Sequence, residues 1–356
     1  MIIRKLHWDR LCVLVVDDNS FMRNLISTTI KSFGIVDAVT EADGASAIER
    51  LKLSLTDPIA ASLGTVDLIL SDFVMPGVDG NLFLRWIRTG NGVPDRFVPF
   101  IMVSGAADKY VVEQARDAGV TEFLAKPFSA QGIADRILQV INSPRQFVLA
   151  LGYFGPDRRR AQVPCEVDRR ITERSQIQIV KPDSRERELR ENVRAIYFRP
   201  NNRIRHKIGV KKFSEPLYFD PAIIQAAERR IQALVGDYAE WVKKYIKSMT
   251  DSEAALSADP ESRQSNKKHI ANINRIAHEL RGQSGTFDYP LITKLSKSLY
   301  EATMDPARQI TDDRKNLIDA HIDAIRTVFR NRVTGDGGDV GMALLRDIEV
   351  AVKKYK

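Results

Sequence analysis

The stretch Asp67-Leu68-Ile69-Leu70-Ser71-Asp72-Phe73-Val74-Met75-Pro76-Gly77 decides the fold. Leu68 to Leu70 form a short apolar run of the kind a buried strand shows, and Pro76-Gly77 follows with turn chemistry. A carboxylate closing such a run sits at the C-terminal end of a strand, where α/β sheets place their chemistry. Working outward, three more runs end the same way. Cys12-Val-Leu-Val-Val16 leads into Asp17-Asp18-Asn19-Ser20, Ile101-Met-Val103 into Ser104-Gly105, and Glu122-Phe-Leu-Ala125 into Lys126-Pro127. In chain order, the strand ends deliver an acid pair, an acid, a hydroxyl and an amine.

Three clustered carboxylates cannot all stay ionised without a cation, because like charges at short range raise one another's pKa. A hard, oxygen-seeking Mg²⁺ resolves that conflict and leaves coordination positions for a phosphate. This ordered set resembles the receiver domain of bacterial response regulators, most closely the chemotaxis type, over about residues 1–143. The resemblance implies a doubly wound, five-stranded parallel α/β domain. It implies that Asp72 is the nucleophile that becomes an aspartyl phosphate. Asp18 and Asp72 would ligate Mg²⁺ directly, Asp17 mostly through water, and Val74 would lend its backbone carbonyl. Lys126 would place a fixed positive charge on the phosphoryl oxygens. Ser104 would be the switch hydroxyl, and Phe123 the aromatic switch whose ring packs inward on activation.

Composition is that of globular domains, with 44% hydrophobic and 28% charged residues over 356 positions, which favours two or three domains. No apolar run approaches the roughly 18 residues that span a bilayer, and no signal-peptide pattern opens the chain. Cys12 falls in an expected buried strand and Cys165 in a charged stretch, which suggests no disulfide framework and a reducing, cytoplasmic setting.

The net charge of +8 is concentrated. Residues 144–216 carry 18 basic against 9 acidic residues, whereas residues 1–143 carry 14 against 17. The middle segment includes Tyr153-Phe-Gly-Pro-Asp157-Arg158-Arg159-Arg160, the pair Arg169-Arg170, and the run Ser184-Arg-Glu-Arg-Glu-Leu-Arg-Glu191. Its hydrophobics are sparse and aperiodic, so residues 144–216 are expected to form a basic, irregular linker or docking segment without an independent core. Phe147 to Phe154 could dock back on a folded domain, and Arg158 to Arg160 could clamp receiver acids. Nucleic-acid binding through this segment is the disfavoured alternative, since aromatic interleaving for base stacking is lacking.

From Leu217 the pattern turns helical, and an antiparallel helical bundle is expected over residues 217–356. Asp220-Pro221 reads as a cap with proline in the first turn, opening a stripe from Ile224 through Ile231, Leu234, Tyr238, Val242 and Tyr245 to Met249. Further helices follow Pro290, around Ile318 to Phe329, and over residues 341–354.

The second helix of this region carries Ile276-Ala-His278-Glu-Leu280-Arg281-Gly282-Gln-Ser284-Gly285-Thr-Phe287. Ile273, Ile276, Ala277, Leu280, Ser284 and Phe287 share one side of a helical wheel, and His278 points away from it. Two glycines near an exposed histidine cost helix stability and clear space for an approaching partner. Arg281, one turn on, could attract a phosphoryl group. The segment resembles the histidine-containing phosphotransfer domain, whose motif reads His-x-Leu-Lys-Gly-x-Ser. Leu280, Gly282 and Ser284 match, Arg281 replaces the lysine, and Asp288 stands where that family often has glycine. The string also resembles the dimerisation helix of sensor kinases. That family continues Thr-Pro, and the Gly335–Gly341 stretch lies too near the end to open an ATP-binding domain, so a complete kinase is not expected. His321 reads as a core or boundary residue, and His7, His206 and His269 have no partners at metal-ligand spacing.

The expected function is a bacterial two-component phosphorelay protein rather than a turnover enzyme, with the receiver catalysing only its own phosphorylation and dephosphorylation. Its expected partners are a sensor histidine kinase, a second receiver domain and a downstream response regulator, with no membrane. His278 would accept and donate phosphoryl groups. The alternative is a response regulator whose helical bundle is a phosphorylation-gated docking module with a silent His278.

Overall fold

The computed structural model describes residues 6–59, 61, 64–105, 109–158, 177–180, 194–210, 214–256 and 262–355. Two compact units make up the chain, residues 1–125 with 129–231, and residues 232–356 with 126–128.

In the first unit, β1 (Cys12–Val16), β2 (Asp37–Glu41), β3 (Leu68–Asp72), β4 (Phe100–Ser104) and β5 (Glu122–Ala125) form a parallel sheet in the order β2-β1-β3-β4-β5. Every residue of β1, β3 and β4 is buried, which is why these strands read as continuous apolar runs rather than alternating ones. The helices α1 (Ser20–Ser32), α2 (Gly44–Thr56), α3 (Gly80–Thr89), α4 (Lys109–Ala118) and α5 (Ala130–Asn142) intervene. Side-chain caps fix four of their starts. Asn19 accepts from the Phe21 and Met22 amides, Asp43 from Ser46, Asp79 from Leu82 and Ser129 from Gly132. Leu14, Ile69, Phe83, Ile87, Phe100 and Met102 make the main core.

The middle segment departs from the irregular linker expected for residues 144–216. It builds β6 (Phe147–Ala150), β7 (Tyr153–Pro156), β8 (Ile177–Val180) and β9 (Ala195–Phe198), a second sheet in the order β7-β6-β9-β8. Gly152, at φ +73°, sits in the two-residue turn of the β6–β7 hairpin. This sheet shares its core with the main domain. Phe147, Phe154, Ile196 and Phe198 cluster around Phe97, which lies in the loop leading into β4, with the three phenylalanine rings 5.1–5.5 Å from the Phe97 ring. Phe147 to Phe154 thus dock back as the sequence suggested.

Arg88 of α3 fastens the two sheets. Its guanidinium donates to the carbonyls of Gly119 (2.9 Å), Arg96 (2.8 Å) and Val98 (2.9 Å) and lies 5.2 Å from the Phe147 ring centre. Complete burial pulls its pKa down to about 10. The basic excess of the middle segment meets acids of the main domain. Arg158 pairs with Asp117 at 3.1 Å, Arg203 with Asp95, and Lys207 with Asp67 at 2.6 Å. The clamp anticipated for Arg158 is therefore present, while Arg159, Arg160, Cys165, Arg169 to Arg170 and Ser184 to Glu191 lie outside the described residues. The short helix α6 (Arg203–Lys207) buries Arg205, whose guanidinium reaches Asn142 Oδ1 at 2.7 Å and the Glu215 carbonyl at 3.0 Å.

The expected first helix of the C-terminal region is two helices, α7 (Pro221–Ala233) and α8 (Val235–Ala254), separated at Leu234. The boundary between the units falls at Ile231, inside the stripe that read as continuous. Residues at and before α7 pack on the first unit. Phe219 stacks on Phe33 with ring centres 4.9 Å apart, Arg230 reaches Ser32 Oγ at 2.7 Å, and Glu228 caps the Ala130 amide at 2.8 Å. The second unit is helical, with α8, α9 (Arg263–Gln283), a 3₁₀ turn at Ser284–Phe287, α10 (Pro290–Thr303), α11 (Asp312–Arg330) and α12 (Gly338–Tyr355). Ile273, Ile276, Ala277, Leu280 and Phe287 are buried, so the stripe read on α9 is its core face. No helix among the described residues is long and apolar enough to cross a membrane.

Candidate functional site: an acid pocket and a helix-borne histidine

Parallel register brings the acids together. Val16 pairs with Ser71, so one step further Asp17 and Asp72 come opposite each other where β1 and β3 end. This is the point where strand order reverses, the crevice that such sheets use for ligands. One ligand oxygen from each of Asp17, Asp18 and Asp72 lies within 4.8 Å of the other two, the one such acid or metal-ligand group among the described residues. Asp17 and Asp72 are buried and Asp18 is partly exposed.

Backbone amides fix the carboxylates. The Asn19 amide donates to Asp17 Oδ1 at 2.9 Å, and the Phe73 amide to Asp72 Oδ1 at 3.0 Å. Arg23 Nη1 donates to the Asp17 carbonyl, turning a positive group toward the loop. Three hard oxygen ligands on anchored backbone are a donor set that suits Mg²⁺ and not a soft metal.

The structure places the other expected residues along the same strand ends. Ser104 closes β4 and is buried, and its register partner is Ala125, after which Lys126, also buried, follows β5. Val74 is 42% exposed in the loop after β3. Phe123 is half-buried and packs against the main core. One residue was missed by sequence reasoning. Gly80 opens α3 so close to β3 that a Cβ there would lie 2.0 Å from the Asp72 carbonyl oxygen. Its amide bonds the Phe73 carbonyl at 3.0 Å. Gly80 therefore sets how the Asp72 loop folds back on itself.

His278 lies on α9, off the apolar stripe as expected, but it is half-buried where an exposed ring was expected. The helical wheel considers only α9. Tyr300 of α10 closes over the ring, with centroids 5.5 Å apart. Arg281 covers it from the same helix, with Nη2 3.3 Å from His278 Nδ1 and its central carbon 4.6 Å from the centre of the Tyr300 ring. Burial first, and the positive charge of Arg281 next, push the His278 pKa down to about 3. The ring is neutral at physiological pH.

The rest of the motif is structural. Ser284 is fully buried and bonds Tyr238 at 2.8 Å, and Tyr238 stacks on Phe287 with ring centres 4.1 Å apart. Glu279 accepts from Gln283 at 2.6 Å within the same buried layer. Asp288, the apparent departure from the motif, takes a left-handed conformation at φ 64°. That is the conformation that glycine supplies most easily and that aspartate tolerates better than most residues. His321 is fully buried, with Nδ1 donating to the Leu317 carbonyl at 2.7 Å and Nε2 therefore accepting from Ser298 at 2.8 Å. It is the core residue expected.

Residues 13–138 match the family model of the response regulator receiver domain. Over 128 residues the chain is 29% identical to the chemotaxis protein CheY of Pseudomonas aeruginosa, covering 36% of this chain and 94% of that protein. It is 28% identical over 131 residues to CheY1 of Helicobacter pylori, covering 37% and 97%. Among solved structures, the receiver domain of sensor histidine kinase PA1611 from Pseudomonas aeruginosa, which has a magnesium ion coordinated in its active-site cleft, is 31% identical. The match covers 36% of this chain and 94% of that one, with a TM-score of 0.30.

Proposed function

Taking residues 13–138 as a response regulator receiver domain, a module of two-component signalling, we propose that the chain is a bacterial phosphorelay protein. Asp72 is its first phosphoryl acceptor and His278 its second. The observation that carries the reading is the acid triad at the switch point of the sheet, with Ser104 and Lys126 at the next two strand ends.

Asp17, Asp18 and Asp72, with the Val74 carbonyl, are the residues that would hold Mg²⁺. When bound, the ion offsets the charge that the phosphoryl oxygens and three carboxylates bring together. The Asp72 carboxylate attacks phosphorus, a P–O bond to carboxylate forms, and the bond to the donor breaks. The donor is a separate sensor histidine kinase or a small acyl phosphate. The Lys126 ammonium neutralises a phosphoryl oxygen, the Ser104 hydroxyl donates to another, and Phe123 reports the change by its packing. Holding Asp72 by its own backbone, with the Phe73 amide on Oδ1 and Gly80 tucked against its carbonyl, spares the reaction the cost of ordering the nucleophile.

His278 then takes the phosphoryl group from a phosphorylated receiver, either this chain's own or a second one, and returns it in the reverse step. Neutral imidazole is a competent nucleophile, and the low pKa keeps the ring neutral. The covered ring also favours a second reading, in which His278 is silent and the helical unit is a docking module gated by Asp72. The protein acts as a phosphoacceptor rather than a turnover enzyme, in the cytoplasm.

The first test incubates the full chain with labelled acetyl phosphate and Mg²⁺. Base-labile label should appear in wild type, vanish in Asp72→Asn, and fail to form when EDTA replaces Mg²⁺. Label that persists in Asp72→Asn would overturn the assignment of the first acceptor.

A further inference from the structure

Building on the reading of His278 as a phosphoryl acceptor, we propose that Arg281 is a latch on the histidine ring, opened by the arriving phosphoryl group itself. A guanidinium has only N–H donors. Arg281 Nη2, 3.3 Å from His278 Nδ1, can therefore only donate to it. Nδ1 accepts, and the single proton of the neutral ring sits on Nε2. In that arrangement neither nitrogen is a nucleophile. The Nδ1 lone pair is engaged by Arg281, and the Nε2 position carries hydrogen.

A second observation points to what releases the latch. Arg281 is buried, and its Nε has no hydrogen-bond acceptor among the described residues. A desolvated cationic donor without an acceptor is costly, and a phosphoryl group supplies what it lacks. Two phosphoryl oxygens match Nε and Nη2 side by side on one edge of the guanidinium, in the bidentate geometry that arginine uses for phosphates. Tyr300, stacked beneath the guanidinium, lets it slide without losing its aromatic contact.

Drawing Nη2 onto the phosphoryl oxygens frees Nδ1. Water carries the proton from Nε2 to Nδ1, and the Nε2 lone pair is exposed. Nε2 then attacks phosphorus, the N–P bond forms as the P–O bond to the aspartate breaks, and aspartate leaves as a carboxylate. The Nδ1 proton departs to water. The substrate class is a phosphoryl group carried on a carboxylate, and an unphosphorylated partner meets a closed ring. Arg281 is thus a positioning residue that couples recognition of the phosphoryl group to the reactivity of His278.

The test is long-range ¹H–¹⁵N NMR of the full chain labelled at histidine, with His278 assigned by its loss in His278→Gln. Inorganic phosphate is the probe and chloride at equal ionic strength the control. The wild-type ring should hold its proton on Nε2 in chloride and shift toward the Nδ1 form in phosphate. Arg281→Met should populate both forms in chloride and lose the phosphate-driven shift. The wild-type comparison of phosphate with chloride does not depend on Arg281→Met, so a poorly folded Arg281→Met leaves the test intact. A resting proton on Nδ1, or a ring unmoved by phosphate, would overturn the latch. The two ideas fail separately. A latch that opens in a chain never labelled on His278 by a phosphorylated receiver sinks the phosphotransfer reading alone. Label on a ring resting with its proton on Nδ1 sinks the latch alone.

Discussion

The Asp72 pocket and the His278 site are built by different means. Asp72 is held by backbone, with its own strand, the Phe73 amide and the close approach of Gly80 all acting within a few residues. His278 is held by side chains, Arg281 from its own helix and Tyr300 from the next. A backbone-held carboxylate needs no ordering before it reacts. A ring controlled by two side chains can be opened or closed by whatever competes for them. On the proposed reading, one chain joins a constitutive acceptor to a conditional one.

The largest effect should come from disturbing the frame of the first site at its opposite pole. Arg88→Met removes a fully buried guanidinium that satisfies three carbonyl oxygens beneath the second sheet. The loss should cost roughly 3 kcal/mol, read as a lower urea midpoint, because buried acceptors are left unpaired. An unchanged midpoint would show that the two sheets do not stabilise each other.

Next in size is Gly80→Ala. Its Cβ must push the Asp72 carbonyl away, at a cost of roughly 2 kcal/mol, with slower labelling of Asp72 by acetyl phosphate and Mg²⁺ while His278 is unaffected. Unaltered labelling would mean that backbone anchoring does not set the reactivity of Asp72.

The smallest effect belongs to the second site. The His278 pKa falls from an ordinary 6.5 to about 3 in the folded chain. Between those values the unfolded chain binds a proton that the folded chain refuses, so stability falls as pH drops from about 6.5 toward 3. His278→Gln should flatten part of that slope, seen by comparing urea midpoints of both proteins at pH 7 and pH 5. Equal slopes would place the ring in water.

The acid pocket was legible because each of its residues closes a run buried on both faces, and such runs are visible in a single sequence. Gly80 was not, since its need arises from the Asp72 carbonyl, which comes near only when the intervening loop folds back. The second sheet was missed because β6 and β9 are short strands that pair with more than forty residues between them and borrow Phe97 for their core. The break at Leu234 hid inside one unbroken apolar period, because two successive helices can share a stripe and pack on different units. The exposure of His278 was overestimated because a wheel drawn on α9 has no knowledge of Tyr300.

The proposed role of His278 is that of a phosphoryl acceptor downstream of an aspartyl phosphate. The most direct measurement uses the full chain carrying Asp72→Asn, so that no label can reside on the first site, incubated with a separately purified phosphorylated receiver. Acid-labile, base-stable label is then located by mass spectrometry. Phosphate should appear on His278 in this chain and be absent when His278→Gln is added. A chain that remains unlabelled with every phosphorylated receiver offered would contradict it and leave the helical unit a docking module.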